Sequence, residues 1–396
     1  MKLNLYIYLF FIECTNRRIH LATRSKWIKS CVVCVANDTL EFVDINVSNI
    51  HYHMENTEQK STPQDGVQTT LTVIRDRMEE VLGEEELVEK LTMGKTLRVY
   101  WGTAPTGAPS FAYFLPLLKL KDLLNAGMGV TILLADIHSY MDRGLGEFDR
   151  TLERTTFYEL VLKSMLKMIG VNPSDIDFVR GSSYQLDETF NRDLLRLSSV
   201  ITVGMATKAS SEVVKQSKDK DTLISHLLYP LMQALDETYL NADLELGGRD
   251  QRKILAFSRD NIHKIGYSKC SYAITPLIPS LRGPGKKMSS SDPNSKLSFM
   301  DSDAIILEKI AKAFCADREV DLDRNPLLAI AKFILFPCFH ALGQYGSYDA
   351  LYEDWSEGTI VAQDLKKLVG PYIVTMMTPI RQEIELNRQL YINAYG

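Results

Sequence analysis

The chain has 396 residues, of which 45% are hydrophobic and 24% charged, values typical of a soluble globular protein with two or three domains. Its formal net charge of −5 argues against a broad nucleic-acid-binding surface, because most proteins that bind a phosphate backbone carry a basic surplus. The six cysteines are sparse and unevenly spaced, which favours a reducing compartment over a disulfide framework.

The start of the chain differs in character from the rest. An apolar run at 5–12 is too short to span a bilayer, and no small-residue cleavage site follows it. Met54 then opens a polar segment typical of a disordered N-terminus. We expect residues 1–68 to be an extension that is disordered or not native, with Met54 as the true start. The alternative is a targeting role for residues 1–53; without it, a cytoplasmic location is expected.

Helix and strand patterns alternate through the middle of the chain. Helical spacing at 69–91 predicts one or two helices, and strand candidates follow at 97–102, 130–136 and 176–182. A helical pattern at 151–170 lies between the last two of these strands. Such alternation predicts βαβ units and a parallel sheet that is buried on both faces.

Two later regions are mainly helical in pattern. Residues 187–266 show few strand signals, and helical periodicity returns beyond residue 293. We expect an α/β domain with a parallel sheet at 69–296, carrying a helical insertion at about 187–240. A mostly helical domain at 297–396 follows it.

A loop at 104–116, APTGAPSFAYFLP, joins the first predicted strand to a helical pattern. A helix N-terminus presents unpaired N–H groups and a positive dipole end, which suit a phosphate. Ligands also gather at the carboxyl ends of parallel strands, where this loop would lie. Because no Lys, Arg or His lies between Gly102 and Phe114, a cation for the phosphate must come from elsewhere.

The segment GPGKKMSSSDPNSK at 283–296 offers such a cation. Its glycines, paired lysines and hydroxyls predict a mobile loop that folds over an anion, with Lys286 or Lys287 as the point charge. The alternative is a solvated basic turn.

Two further segments carry polar groups in suggestive positions. Tyr229, Gln233 and Asp236 are spaced i, i+4 and i+7 among apolar residues, so they project from one helix face and would recognise a small polar molecule. The alternative is a solvated stripe or a buried network that fixes helix packing.

In LGGRDQRKI at 246–254, two glycines permit close approach to a ligand, and Asp250 could bind a ribose hydroxyl. A simple helix-entry turn is the alternative there.

In this order, the segments resemble the class I aminoacyl-tRNA synthetases, specifically the tyrosyl-tRNA synthetases of eukaryotic and archaeal type. KMSSS at 287–291 resembles that family's version of the KMSKS loop, and YWGTAPTG with AYFLP resembles its first signature. LLADIHSYMD, LLYPLMQALDETYL and GGRDQRKI resemble its other motifs, and SSYQL is also similar. The resemblance covers roughly residues 69–383. It implies a Rossmann-like catalytic domain at 69–296 and an anticodon-binding-type helical domain at 297–396.

The resemblance also implies roles for individual residues. The tyrosine site would consist of Tyr100, His138, Tyr229, Gln233, Asp236 and Gln251, with Leu133 and Ala135 lining it. The ATP site would consist of Gly102, Thr106, Gly248, Asp250, Lys287, Met288 and Ser289. The catalytic groups at the phosphates would be Thr106, Ser110, Lys287 and Ser289. Within the tyrosine site, Tyr100 and Asp236 would contact the phenol hydroxyl.

The implied reaction is the ATP-dependent activation of L-tyrosine to tyrosyl-adenylate, followed by transfer to tRNA(Tyr). Mg²⁺ would accompany ATP, and no protein-bound metal or membrane contact is expected. The chain would act as a homodimer, with the helical segment after residue 187 as the interface.

Three features depart from the family pattern. Ser110 stands where the family usually has His, and losing one transition-state donor costs about 10²–10³ in rate, so we expect slower adenylation. Glu245 stands where Gln is frequent, and residues 337–354 are shorter than the family's anticodon-reading segment. Two alternatives remain. One is a tryptophanyl-tRNA synthetase, although the pairing of Tyr100 with Asp236 suits a phenol hydroxyl and argues against it. The other is a catalytically weak paralogue that acts as an RNA- or protein-binding module.

Overall fold

The structure is a computed structural model that describes residues 11–14, 17–22, 31–36, 39–44, 63–143, 148–213, 222–285, 288 and 295–396. The chain divides into two compact units, Met1–Ser61 and Thr62–Gly396.

The first unit contains an antiparallel sheet of four strands in sequential order. The strands are β1 (Phe11–Cys14), β2 (Arg17–Ala22), β3 (Cys31–Ala36) and β4 (Thr39–Asp44). β3 and β4 are rich in Val, Phe and Thr, residue types that favour strands. The extension that the sequence predicts as disordered or not native thus contains strands, while a start at Met54 stays a prediction.

The second unit holds six strands and fifteen helices among the described residues. The strands are β5 (Glu80–Leu82), β6 (Arg98–Thr103), β7 (Gly129–Leu134), β8 (Asp177–Arg180), β9 (Leu244–Gly248) and β10 (Ser271–Thr275). The helices that precede β10 in the chain are α1 (Pro63–Arg75), α2 (Glu84–Thr92), α3 (Phe114–Asn125), α4 (Asp136–Arg143), α5 (Phe148–Met168), α6 (Glu188–Ser198), α7 (Val203–Ser210), α8 (Ile224–Tyr239) and α9 (Arg252–Asn261). The later helices are α10 (Asp303–Lys312), α11 (Pro326–Ile330), α12 (Phe336–Phe339), α13 (Tyr348–Glu357), α14 (Ala362–Leu386) and α15 (Arg388–Tyr395).

The sheet has the order β5-β10-β9-β6-β7-β8. β6 pairs in parallel with both β7 and β9, and β8 and β10 continue the parallel sheet on either side. Only β5 is antiparallel, at the edge next to β10. The predicted α/β fold with a parallel sheet and helices on its faces is confirmed. Because the strand order reverses between β6 and β9, a crevice opens at their carboxyl ends.

Three strands and one helix boundary differ from the sequence-based expectations. β9 and β10 were not predicted as strands, and β5 lies inside the segment expected to be purely helical. β9 and β10 are almost completely buried, so they lack the alternation of polar and apolar residues that marks a half-buried strand. Helix α1 begins at Pro63, before the expected end of the extension at residue 68.

One hydrophobic core runs through the second unit, from Val67 in α1 to Ala394 in α15. α5 packs against α14 and α15, which joins the sheet layer to the C-terminal helices. The helical character beyond residue 297 agrees with the sequence, and a domain boundary there stays a prediction because the core continues across it. Within the described ranges, no helix combines the length and the apolar character needed to cross a bilayer.

Candidate active site

A cavity of about 550 Å³ lies at the carboxyl ends of the parallel strands β6, β7, β9 and β10. Its walls come from the strand ends, the loop after β6, helix α8 and the turn after β9. Twelve of the fourteen residues predicted for the site line it, namely Tyr100, Gly102, Thr106, Ser110, His138, Tyr229, Gln233, Asp236, Gly248, Asp250, Gln251 and Met288. Leu133 and Ala135 also line it. The other two, Lys287 and Ser289, lie outside the described residues.

The loop at 104–110 is held from beneath by two buried side chains. The hydroxyl of Tyr158 on α5 donates a hydrogen bond to the carbonyl of Gly107. The ammonium of Lys296 donates to the carbonyl of Ala108 at 3.2 Å. These contacts fix a loop that has no regular hydrogen-bond ladder of its own, so its backbone is preorganised for a ligand.

Ser110 closes this loop and is 4% exposed. Its backbone is extended (φ −127°, ψ 171°) and forms a bridge with Ser298, while the N–H of Phe111 donates to the carbonyl of Leu297 at 3.1 Å. A single 3-10 turn, Phe111–Tyr113, then leads into α3. The predicted helix N-terminus after the loop is therefore present, although its first turn is a 3-10 turn.

Asp236 lies at the closed end of the cavity and is fully buried. Its Oδ1 accepts hydrogen bonds from the hydroxyl of Tyr184 at 2.6 Å and from Nε2 of Gln185 at 2.7 Å. Its Oδ2 has no hydrogen-bond partner among the residues that the structure describes. One carboxyl oxygen is thus engaged by the protein, and the other remains for a ligand.

The charge state of this end is set by burial. Desolvation raises the pKa of Asp236 to about 8, although the hydrogen bonds from Tyr184 and Gln185 oppose the shift. Desolvation lowers the pKa of His138 to about 4, so the imidazole is neutral near pH 7. Nε2 of His138 lies 3.9 Å from Oδ2 of Asp236, and its ring packs edge-on against Tyr229 with centroids 4.5 Å apart. His138 therefore shapes the cavity as a neutral ring.

Tyr100 projects from β6 at the same end and is 1% exposed. Its hydroxyl has no hydrogen-bond partner in the described part of the chain. Burial raises its pKa well above the usual value, and the nearby carboxyl groups of Glu245, Glu237 and Asp236 raise it further. Tyr100 is therefore a neutral phenol whose O–H is available as a hydrogen-bond donor.

A chain of amide groups lines the wall between α8 and the turn after β9. Nε2 of Gln233 donates to Oε1 of Glu245 at 2.9 Å and to Oε1 of Gln251 at 3.1 Å. Behind Glu245, the hydroxyl of Tyr272 donates to Oε1 of Glu237 at 2.9 Å. Both Glu237 and Glu245 are buried, with 3% and 1% exposure.

The two glycines after β9 leave room for neighbouring side chains. A Cβ at Gly247 would lie 2.8 Å from Cδ1 of Leu255, and a Cβ at Gly248 would lie 2.6 Å from Oδ1 of Asp250. The turn therefore keeps Asp250 and Gln251 close to the strand end. On the facing wall, the N–H of Met288 donates to the carbonyl of Ile278 at 2.9 Å, which brings one residue of the predicted mobile loop to the cavity.

The chemistry of the walls suits binding and positioning rather than covalent catalysis. The described lining residues include the acids Asp142, Asp236, Glu245 and Asp250, and none of them is Lys or Arg. A phosphate at the loop 104–110 would therefore need a cation from another part of the chain. No group of His, Cys, Asp and Glu within the described ranges is arranged to hold a metal ion.

Four residues around the site were not predicted from the sequence. Tyr184 and Gln185 lie just after β8, and Glu237 and Tyr272 lie behind the cavity wall. The signal for the first two was the SSYQL segment, which follows a parallel strand at the same edge of the sheet as the other site residues. Glu237 is adjacent to Asp236, but its position on the helix gave no sign of a polar partner.

Comparison with known proteins identifies the family. The family model described as tRNA synthetases class I (W and Y) matches residues 92–376. The tyrosine–tRNA ligase, cytoplasmic, of Gallus gallus is 40% identical over 337 residues, which cover 82% of this chain and 62% of that protein. The probable tyrosine–tRNA ligase, cytoplasmic, of Encephalitozoon cuniculi is 37% identical, over 83% of this chain and 99% of that protein. The chain thus spans about three fifths of the length of the vertebrate relatives that it matches.

Solved structures agree with this result. The tyrosyl-tRNA synthetase of Archaeoglobus fulgidus, solved with L-tyrosine, superposes with a TM-score of 0.74 at 32% identity, covering 80% of this chain and 99% of that one. The tyrosyl-tRNA synthetase of Aeropyrum pernix gives a TM-score of 0.75 at 29% identity, over 83% and 98% of the two chains. The chain belongs to the tRNA synthetases of class I (W and Y), and within that family to the tyrosyl-tRNA synthetases.

Proposed function

We propose that the chain is a tyrosine–tRNA ligase, which activates L-tyrosine with ATP and transfers it to tRNA(Tyr). The observation that carries the proposal is the pair of polar atoms at the closed end of the cavity. Oδ2 of buried Asp236 and the hydroxyl of buried Tyr100 have no partner among the described residues. A phenol hydroxyl can both donate and accept, so it can hydrogen-bond to both groups at once.

The rest of a tyrosine molecule fits the same wall. Tyr229, Gln233 and Gln251 would bind its ammonium and carboxylate groups, since all three line the cavity next to Asp236 along α8 and the following turn. His138, Leu133 and Ala135 would enclose the ring. A phenylalanine in this site would leave Asp236 and Tyr100 unpaired, at a cost of about 1–3 kcal/mol for each buried polar group.

ATP would occupy the wider end of the cavity. Gly102, Thr106 and Ser110 would face its phosphates, and Gly248 and Asp250 would face its ribose. Met288 would contact the nucleotide, and Lys287 and Ser289 of the same loop would supply the cation and a hydroxyl donor. Mg²⁺ bound to the phosphates and water would neutralise part of their charge, in keeping with the sparse protein ligands that this ion uses with nucleotides.

The reaction then needs no protein nucleophile. The tyrosine carboxylate attacks the α-phosphorus of ATP, and the bond to the bridging oxygen breaks as pyrophosphate leaves. A ribose hydroxyl at the 3′ end of tRNA(Tyr) next attacks the carbonyl carbon of the adenylate and releases AMP. The fixed loop 104–110 and the polar wall position the reactants and stabilise the developing charge, which are the main sources of catalysis in such transfers.

A homodimer is part of the proposal. Several apolar side chains after residue 187 are strongly exposed, although they belong to amphipathic helices whose other faces are packed. They are Leu195 (70%), Val203 (69%) and Ile224 (73%). Helices α6 and α7 both pack against α8, so these exposed side chains lie on neighbouring helices, as they would at an interface between copies of the chain. We also propose cytoplasmic action, because the relatives are named cytoplasmic enzymes.

A second candidate is a catalytically weak paralogue that binds RNA or protein. Ser110, which faces the phosphate end in place of a stronger donor, is the observation that favours it. The remaining site residues argue for an active enzyme, since a decaying site would have little reason to keep the unpaired Asp236 and Tyr100 together.

The test is an ATP–pyrophosphate exchange assay on the full chain and on a chain starting at Met54, with tyrosine, tryptophan and phenylalanine in turn. Exchange that depends on tyrosine, followed by charging of tRNA(Tyr), is the expected result. Exchange with tryptophan instead would identify a tryptophanyl enzyme. Absence of exchange with every amino acid at high enzyme concentration, in both chains, would favour the paralogue.

A further inference from the structure

The amide nitrogen of Gln233 donates to two neighbouring oxygens. Both hydrogen atoms on its Nε2 are engaged, one by Oε1 of Glu245 at 2.9 Å and the other by Oε1 of Gln251 at 3.1 Å. With Gln251 and Glu245 presenting oxygens as they do here, a reversed amide would place its carbonyl oxygen against two acceptors. Oε1 of Gln233 is therefore the atom that remains for a ligand in the cavity.

A second buried acid, Glu237, lies behind Glu245 and has a hydrogen-bond partner of its own. Glu237 is fully buried behind it and accepts a hydrogen bond from Tyr272 at 2.9 Å. Burial raises the pKa of Glu245 to about 7 and that of Glu237 well above its usual range, and the two carboxyl groups interact. Whatever the charge of the pair, Oε1 of Glu245 is the atom that accepts from Gln233 at 2.9 Å.

Gln251 adjoins Gln233 along the same wall. Because Oε1 of Gln251 accepts from Gln233, its Nε2 is the amide atom left for a ligand. The wall thus offers a carbonyl oxygen at Gln233 followed by an N–H donor at Gln251. This order suits an ammonium group next to a carboxylate, and the reverse order would place like partial charges against both groups.

We propose that Glu245 is a positioning residue that fixes the amide of Gln233 so that its oxygen recognises the ammonium group of the amino acid. This inference rests on the proposed function, because it assigns a role within the tyrosine site. It goes beyond that function because Glu245 would act through Gln233 and select for the ammonium group.

A purely structural role makes a different prediction. If Glu245 only filled space in the core, replacing it would weaken the binding of every ligand of this site to the same degree. A positioning role instead predicts a loss that depends on the ammonium group of the ligand. The two roles are therefore separated by comparing ligands within one variant.

The experiment measures equilibrium binding to the full chain by calorimetry, directly for L-tyrosine and by competition for tyramine and 3-(4-hydroxyphenyl)propionate. Tyramine keeps the ammonium group and lacks the carboxylate, while the propionate lacks the ammonium group. The variants are Glu245→Leu, which cannot accept a hydrogen bond, and Glu245→Gln, whose oxygen can still accept from Gln233.

In Glu245→Leu we expect the Kd for L-tyrosine and for tyramine to rise about tenfold, the size of one lost buried hydrogen bond, and the Kd for the propionate to change less than about twofold. In Glu245→Gln we expect all three Kd values to stay within about threefold of those of the unmodified chain. Equal losses for all three ligands in Glu245→Leu, or no rescue by Glu245→Gln, would overturn the inference. If the unmodified chain itself bound no L-tyrosine, the proposed function would fail first, and the two failures are thereby distinguished.

Discussion

The hydroxyl of Tyr184 donates to Oδ1 of Asp236 at 2.6 Å and so determines which carboxyl oxygen faces the cavity. Gln185 donates to the same oxygen at 2.7 Å, and Oδ2 is left without a hydrogen-bond partner among the described residues. The proposed recognition of tyrosine would thus depend on a residue that does not itself line the cavity.

We predict that Tyr184→Phe weakens tyrosine recognition. Without the hydroxyl, Oδ1 keeps only one donor, and the carboxyl group of Asp236 is free to rotate. The KM for tyrosine should rise about fivefold to tenfold, in line with the loss of one hydrogen bond to a charged or partly charged group. The ratio of kcat/KM for tyrosine over phenylalanine in the exchange assay should fall with it.

Tyr239→Phe is a matched control for that variant. The ring of Tyr239 stacks on Tyr184 with centroids 5.9 Å apart, but its hydroxyl donates to Asp193, away from the cavity. Its KM for tyrosine should stay within about twofold of the unmodified value, since exposed or partly exposed hydrogen bonds contribute little. Equal effects of the two variants would contradict a specific role for Tyr184.

The loop 104–110 leads to a second prediction, which concerns ATP. Tyr158→Phe removes the hydroxyl that holds the carbonyl of Gly107, so the loop loses a buried hydrogen bond. The KM for ATP should rise about fivefold while tyrosine binding stays nearly unchanged. Tyr345→Phe is the control, because the hydroxyl of Tyr345 donates to Asp354 at 2.9 Å and neither residue lines the cavity. If Tyr158→Phe raised the KM for tyrosine and not the KM for ATP, the loop would not act on ATP binding and the prediction would be wrong.

The polar face of α8 was predictable because helical geometry is local. Tyr229, Gln233 and Asp236 are spaced so that one face must carry all three, and the structure has them on one wall of the cavity. The partner of Asp236 was not predictable in the same way. Tyr184 lies 52 residues earlier in the chain, and only the position of β8 in the sheet brings the two together.

The strand β9 could not be predicted from the local sequence. The segment LELGG has two glycines and is preceded by a long helix, so local propensity argues against a strand. It forms one because it pairs in parallel with both β6 and β10 at the centre of the sheet. Tertiary pairing thus overrides local preference at the strand that positions Glu245 and the turn carrying Gln251.

The buried acids predict how stability depends on pH. The pKa of Asp236 is raised from 3.8 to about 8 and that of Glu245 from 4.5 to about 7, so the folded chain holds protons that the unfolded chain loses. Their contribution to stability is therefore complete below about pH 4 and is lost as the pH rises toward about 8. Asp236→Asn should flatten this dependence, because the amide does not titrate.

The measurement is the Tm of the ligand-free chain by differential scanning fluorimetry between about pH 5 and about pH 8, a window in which ordinary surface carboxylates no longer titrate. The fall in Tm across this window should be smaller in Asp236→Asn than in the unmodified chain. An unchanged slope in the variant would mean that Asp236 does not retain a proton in the folded state.

Ser110 provides the last prediction, which concerns the rate of adenylation. Its side chain faces the cavity beside the loop that would hold the phosphates, and the described lining residues contribute no Lys or Arg there. A larger donor at this position would reach further toward the charge that develops on the leaving phosphates. Ser110→His should therefore raise the rate of tyrosyl-adenylate formation by about 10²-fold, the usual value of one transition-state donor.

Stopped-flow or quench measurements of the first turnover isolate this step from product release and from tRNA charging. The KM for tyrosine should change little, because Ser110 lies at the phosphate end, and the gain should appear in the rate constant. Ser110→Ala is the matched control, and its rate should not exceed that of the unmodified chain, since it adds no donor. Equal rates of adenylate formation in the unmodified chain and in Ser110→His would contradict the prediction. They would show that a donor at this position does not stabilise the charge on the leaving phosphates, so that serine does not limit the chemistry.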